Sequence, residues 1–280
     1  MPVLLMADVL KTIHSLPSLP AVVLDLLASM EQDDVDIDTL ARKIALDQVL
    51  TAKTLRLANS SFYGMQRQVN TVGEAISVLG LRSVRNLATT AALMGHLANG
   101  ASGSFCVLAF WRHSIGTALC AQALAAHLGL NKDQAYTTGL LHDIGRLVLA
   151  TRFAGDYSAV MAHRAAHKFP VVEAEQAVLG LDHTAVGEAL ALHWKFPEAM
   201  QRAVARHHAS GLPGEDAMAQ LICVADATAH ALGFSSEEDD QAEPVAQTTW
   251  QSLGLDEKMQ LAAFKDAERQ FEAACSVLAP

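Results

Sequence analysis

The chain has 280 residues, 51% of them hydrophobic, with 30 acidic against 20 basic residues and a formal net charge of −10. That apolar share supplies a sizeable core for one large domain or two small ones and excludes a disordered chain. The acidic balance, without a run of Lys and Arg, argues against non-specific binding to nucleic acid or to an anionic membrane surface.

Ala and Leu dominate while β-branched clusters are short, which predicts an all-α protein. The first residues lack a basic stretch followed by a long apolar run, so no signal peptide is expected and the chain is expected to be cytoplasmic. Helical spacing begins near Asp8, breaks at Leu16-Pro-Ser-Leu-Pro20 and resumes from Ala21 to Met30, with Leu24 and Leu27 on the expected buried face. An acidic turn at Asp33 and Asp34 precedes a helix from Asp36 to Lys43. The next runs from Val49 to Ala58, buries Leu55 and Leu57, and stops at Asn59-Ser-Ser-Phe-Tyr-Gly64. Two more, Val72 to Leu79 and Ser83 to Leu97, are parted by Gly80. Arg42, Lys43, Lys53 and Arg56 read as a solvated face.

The stretch between Arg85 and Arg112 carries no formal charge, but His96, Asn99, Ser102, Ser104 and glycines interrupt it, so it reads as helix, loop and helix, not as a membrane span. Cys106, Cys120, Cys223 and Cys275 form no Cys-x-x-Cys pair and read as core thiols of a reducing compartment.

From Phe105 a helix runs to about His127, and steps of three and four from His113 meet Ala109, Phe110, Gly116, Thr117 and Cys120, so His113 lies on an apolar stripe. The following helix carries Ala135, Thr138 and Gly139 into His142-Asp143, with Gly145 leaving room beside the pair. A polar segment with His163 and His167 follows. Asp182 can cap a helix that begins with His183 and ends near His193-Trp194. Pro197 starts the next, at its first helical position, and places His207 and His208 on the face of Met200, Ala203 and Val204. In the helix from Ala217 to Leu232, Asp226 shares a stripe with Ala219, Ile222, Cys223 and Ala229. Residues 235–244 read as a solvated acidic loop, and Trp250 to Val277 as an amphipathic tail.

His113, His142, Asp143, His183, His207, His208 and Asp226 thus all face inward. Burying an unpaired carboxylate costs several kcal/mol. Imidazole and carboxylate together suit one or two divalent transition metal ions, with iron, manganese and zinc the candidates.

The order His, His-Asp, His, His-His, Asp resembles the HD superfamily of metal-dependent phosphohydrolases, in particular the branch with two metal ions. The motifs Leu16-Pro-Ser-Leu-Pro20, Ile44-Ala-Leu-Asp47, Leu57-Ala-Asn-Ser60 with Phe62-Tyr-Gly64, and Ala75-Ile-Ser-Val-Leu-Gly80 resemble the HDOD domain, a bacterial signalling relative of those enzymes. The resemblance implies a regulatory protein of signal transduction with a signalling protein as partner, and metal-ligand roles for the seven residues. Domain limits follow: an N-terminal helical subdomain over 1–102, an HD-like core over 103–232, and an acidic loop with a helical tail over 233–280. If the chain is an enzyme, the resemblance implies phosphoester hydrolysis, with Asp143 bridging the ions and Arg146 contacting the phosphate. Two departures bear on that. The Gly-Tyr-Pro signature of cyclic-dinucleotide phosphodiesterases does not follow His207-His208, and Arg146 stands where those enzymes commonly carry Lys.

Overall fold

A computed structural model describes residues 3–16, 18–29, 36–60, 68–97, 105–209, 216–235 and 245–278, and every regular element among them is helical. In chain order these are α1 (Met6–Ser15), α2 (Ala21–Ser29), α3 (Ile37–Ala45), α4 (Gln48–Ala58), α5 (Val72–Leu79), α6 (Leu81–Leu97), α7 (Val107–Leu128), α8 (Lys132–Leu141), α9 (Ile144–Arg152), α10 (Ala154–His167), α11 (Val171–Leu179), α12 (His183–His193), α13 (Glu198–Arg206), α14 (Ala217–Ala231), α15 (Gln247–Leu253) and α16 (Glu257–Cys275), with a last 3₁₀ turn at Ser276–Leu278. The acidic turn at Asp33 and Asp34, most of the Ser60–Gly64 stop, the loop around Asn99, Ser102 and Ser104, the side chain of His96, and residues 236–244 lie outside the described residues.

Local chemistry sets many of the boundaries. The side chains of Asp36, Asp47, Asn131 and Asp182 each accept from backbone N–H groups in the first turn of α3, α4, α8 and α12, satisfying donors that have no partner within the helix. Gly80, at φ 81°, separates α5 from α6 in a conformation open to glycine.

The architecture is organised around α7, which is buried on every side from Ala109 to Cys120 apart from Arg112. Helices α8, α14 and α16 pack on it, and α12 lies between α9 and α13. Helices α2 to α6 form the N-terminal bundle, which meets the rest through α6 against α8 and through α4 and α6 against the last 3₁₀ turn. Apolar contact is continuous from Val9 to Cys275.

Several expectations shift. Leu24 is 46% exposed, and the buried residues of α2 are Val23 and Leu26; the three-to-four step tolerates either stripe, and contact with α6 selects one. Cys106 is exposed because it occupies the N-cap position before α7, whereas Cys120, Cys223 and Cys275 are buried. His163 and His167 lie within the continuous helix α10, and the tail consists of two helices, α15 and α16. Pro197 caps α13 from the position before its first turn.

The N-terminal bundle and the core share buried charge: Arg85 of α6 pairs with Asp133 of α8, and Arg82 Nε lies 2.7 Å from the same carboxylate, whose side chain is 8% exposed. Deleting residues 1–100 therefore uncovers the apolar face of α8 and strands Asp133. The truncated chain is expected to be insoluble; a soluble 101–280 fragment with a cooperative melt would show that the core folds without the bundle.

Candidate metal centre

Five structural pieces deliver the polar cluster. His113 comes from the middle of α7. His142 and Asp143 occupy the turn between α8 and α9, and His183 is the first residue of α12. His207 and His208 lie in the turn immediately after α13, just past the helix face on which sequence spacing put them, and Asp226 comes from α14. Glycines let these pieces approach. A Cβ on Gly139 would sit 2.9 Å from the Ala118 Cα of α7, and one on Gly145 would strike the His183 carbonyl and lie 2.7 Å from the Gly187 amide.

All seven sequence-predicted residues come together. Asp143 Oδ1 is 3.1 Å from His183 Nε2, 3.4 Å from His207 Nε2 and 3.7 Å from His142 Nε2. Asp226 Oδ1 is 2.9 Å from His113 Nε2 and 3.3 Å from His142 Nε2. His208 Nε2 lies 3.1 Å from His183 Nε2. Asp143, His183, His207 and His208 each present one donor atom within 4.8 Å of the others, as do His113, His142 and Asp143.

The arrangement fits a metal ion on chemical grounds. Nδ1 of His142 donates to the Gly139 carbonyl at 2.7 Å, and Nδ1 of His207 donates to the Val204 carbonyl at 2.9 Å. Each bond fixes the tautomer and leaves a lone pair on Nε2 directed at the carboxylates. His183 Nδ1 is held 2.7 Å from Glu175 Oε2, which also accepts from the His183 backbone N–H at 2.8 Å. His113 differs, since its Nδ1 is buried without a hydrogen-bond partner.

Glu175 is a site residue that sequence reasoning missed. Its signal was a carboxylate inside the apolar run of α11, where it is fully buried. His230 was missed too, although it stands four residues after Asp226 on the same helix, with Nε2 3.4 Å from Asp226 Oδ1. Arg146 is placed behind the cluster: its Nη1 donates to Asp143 Oδ2 at 2.8 Å and its Nε to the Tyr157 hydroxyl at 3.4 Å.

Burial opposes charge throughout, and the neighbours decide the outcome. Burial and then His208 hold His207 down at about 3, and burial with His230 lowers His113. On His183 burial is outweighed by Glu175 and Asp143, which lift its pKa to about 10. His142 is raised against burial by Asp143 and Asp226. Both aspartates lie well below the usual carboxylate range despite burial, Asp143 through His142 and Arg146, Asp226 through His230 and His113.

The fold and the cluster define a class: an all-helical protein with buried His and Asp groups able to hold metal ions. The HDOD domain matches residues 16–210, and the chain belongs to the HDOD family. Among solved structures it is similar to an HDOD domain protein of unknown function from Geobacter sulfurreducens, at 28% identity and TM-score 0.80 over 97% of both chains. It is also similar to a candidate phosphohydrolase from Shewanella amazonensis, at 25% identity and TM-score 0.73, again over 97% of both. An uncharacterised protein of Treponema pallidum is 27% identical over 209 residues, which are 73% of this chain and 40% of that relative. The chain thus spans less than half the length of this curated relative. No described helix is long and apolar enough to cross a membrane.

Proposed function

We propose that the chain is a signal-transduction regulator of the HDOD type whose helical core is tied together by one or two divalent transition metal ions, iron, manganese or zinc. The observation that carries this reading is the convergence of buried Nε2 atoms on Asp143 and Asp226 while Nδ1 of His142, His183 and His207 is anchored from behind. His113, His142, Asp143, His183, His207, His208 and Asp226 would hold the metal. The N-terminal bundle, taken as a unit over 1–102, would dock a signalling protein; Leu24, Ile37, Leu46 and Val49 are exposed there, Leu46 at 86%. The HD-like core would span 103–232 and the tail 233–280, and a cytoplasmic setting suits four cysteines that form no disulfide.

A second reading is favoured by one observation: a guanidinium, Arg146, stands directly beside Asp143. Two doubly charged ions against two carboxylates leave a net positive site, which attracts a phosphoester. Bound divalent ions supply Lewis-acid polarisation of a phosphoryl oxygen and acidify water. Asp143 would be a ligand shared by the ions, and Arg146, which donates to its Oδ2, would be the phosphate contact.

Elemental analysis of protein purified without chelator tests the first reading, and turnover of a generic phosphodiester by the loaded protein tests the second. Metal uptake is also expected to depend on pH. With its pKa at about 10 in the metal-free protein, His183 carries a proton at neutral pH that an ion must displace. Affinity should therefore rise with pH, by up to about tenfold per unit for each proton displaced, and adding metal to stripped protein at pH 7 should acidify an unbuffered solution. Protein that retains no metal, takes up none and releases no protons would leave the cluster as a buried polar network.

A further inference from the structure

We infer that His230 is a metal-binding residue, which with His113 and Asp226 completes a second ion site beside the one formed by Asp143, His183, His207 and His208. The inference rests on the metal-centre reading above and goes beyond it, since none of the motifs includes His230.

The two carboxylates sit in matching surroundings. Asp143 Oδ1 is ringed by imidazole nitrogens of His183, His207 and His142. Asp226 Oδ1 is ringed in the same way by His113 at 2.9 Å, His142 at 3.3 Å and His230 at 3.4 Å. His142 stands between the halves. One donor atom each from His113, Asp226 and His230 lies within 4.8 Å of the other two, a spacing that one ion can span. The His113 and His230 rings lie 4.2 Å apart, centroid to centroid, at an interplanar angle of 31°.

Helix geometry makes the placement firm. Residues four apart stack on one face of a helix, so Asp226 and His230 of α14 address the same point on α7, where His113 waits. His230 is also the outer edge of the cluster: its side chain is 16% exposed, against 3% for His113 and 6% for Asp226. It is placed to close the second site on its solvent side and to limit what can reach an ion there. His113 lacks the Nδ1 hydrogen bond that steadies His142, His183 and His207.

The test uses the full chain, stripped with chelator and titrated with Mn²⁺ by calorimetry, with melting curves of the metal-free proteins as the fold control. The wild type is expected to take up two ions. His230→Gln, which can still hydrogen-bond Asp226, should leave one ion at wild-type affinity and weaken the other by more than about tenfold, and His230→Glu, which restores a ligand atom, should recover part of the loss. In His207→Ala the loss should fall on the other ion, so that combining it with His230→Gln removes both. Unchanged stoichiometry and affinities in His230→Gln would overturn the inference while leaving the metal centre standing, with His230 only a hydrogen-bond partner of Asp226. A wild type that binds no ion would overturn both.

Discussion

Asp143→Ala is expected to cut metal content sharply, through the site it forms with His183, His207 and His208, and to produce the largest loss of stability among single changes at the cluster. Oδ1 of this side chain faces His183, His207 and His142, while Oδ2 accepts from Arg146 at 2.8 Å, and the residue is only 3% exposed. Truncation leaves a largely buried guanidinium without its counter-charge and removes one of the two carboxylates that raise His183, Glu175 being the other. Removing one partner of a buried pair costs about 3–5 kcal/mol, a large share of the roughly 5–15 kcal/mol that holds a typical domain folded. Asp143→Asn separates charge from volume: it keeps the shape, and should lose metal while melting above the Ala variant. Elemental analysis with thermal melts decides the matter. Near-normal metal content in Asp143→Ala, with the helical signal intact, would rule out ligation by this residue and weaken the assignment of the other six.

Gly145→Ala should be nearly as damaging although it touches no ligand atom. The added methyl would strike the His183 carbonyl and sit 2.7 Å from the Gly187 amide, where α9 and α12 cross at their two glycines. Overpacking typically costs about 1–3 kcal/mol when side chains can yield; here the opposing atoms are backbone, so the cost falls at the top of that range or above it. To make room α12 must move away, and it carries His183 with it, so metal affinity should fall along with the melting temperature. Gly155→Ala is the control, because a Cβ there meets nothing within 4 Å and an exposed helical Gly→Ala change is neutral or stabilising by up to about 1 kcal/mol. Equal melting temperatures and equal metal binding for Gly145→Ala and wild type would show that the crossing is looser than its geometry indicates.

The sequence by itself determined the elements that depend on neighbours within one or two turns. Asp36 and Asp182 announce helix starts because a cap bonds only to the N–H groups two and three residues on. His113 and Asp226 reveal an inward face because the apolar period of α7 and α14 is carried along the chain. His230 is equally local, four residues from Asp226 on the same face of α14, and so is legible from spacing alone. Tertiary structure alone decided the rest. Leu24 and Val23 differ in burial because α6 covers one stripe of α2 and not the next. Glu175 reaches His183 across the α11–α12 turn, and Arg85 reaches Asp133 from 48 residues away. Nothing periodic encodes such pairs, since they form only when helices have approached, and that approach is set by contacts such as Gly145 on Gly187, where the absence of a side chain lets two backbones meet and brings the histidines around their aspartates.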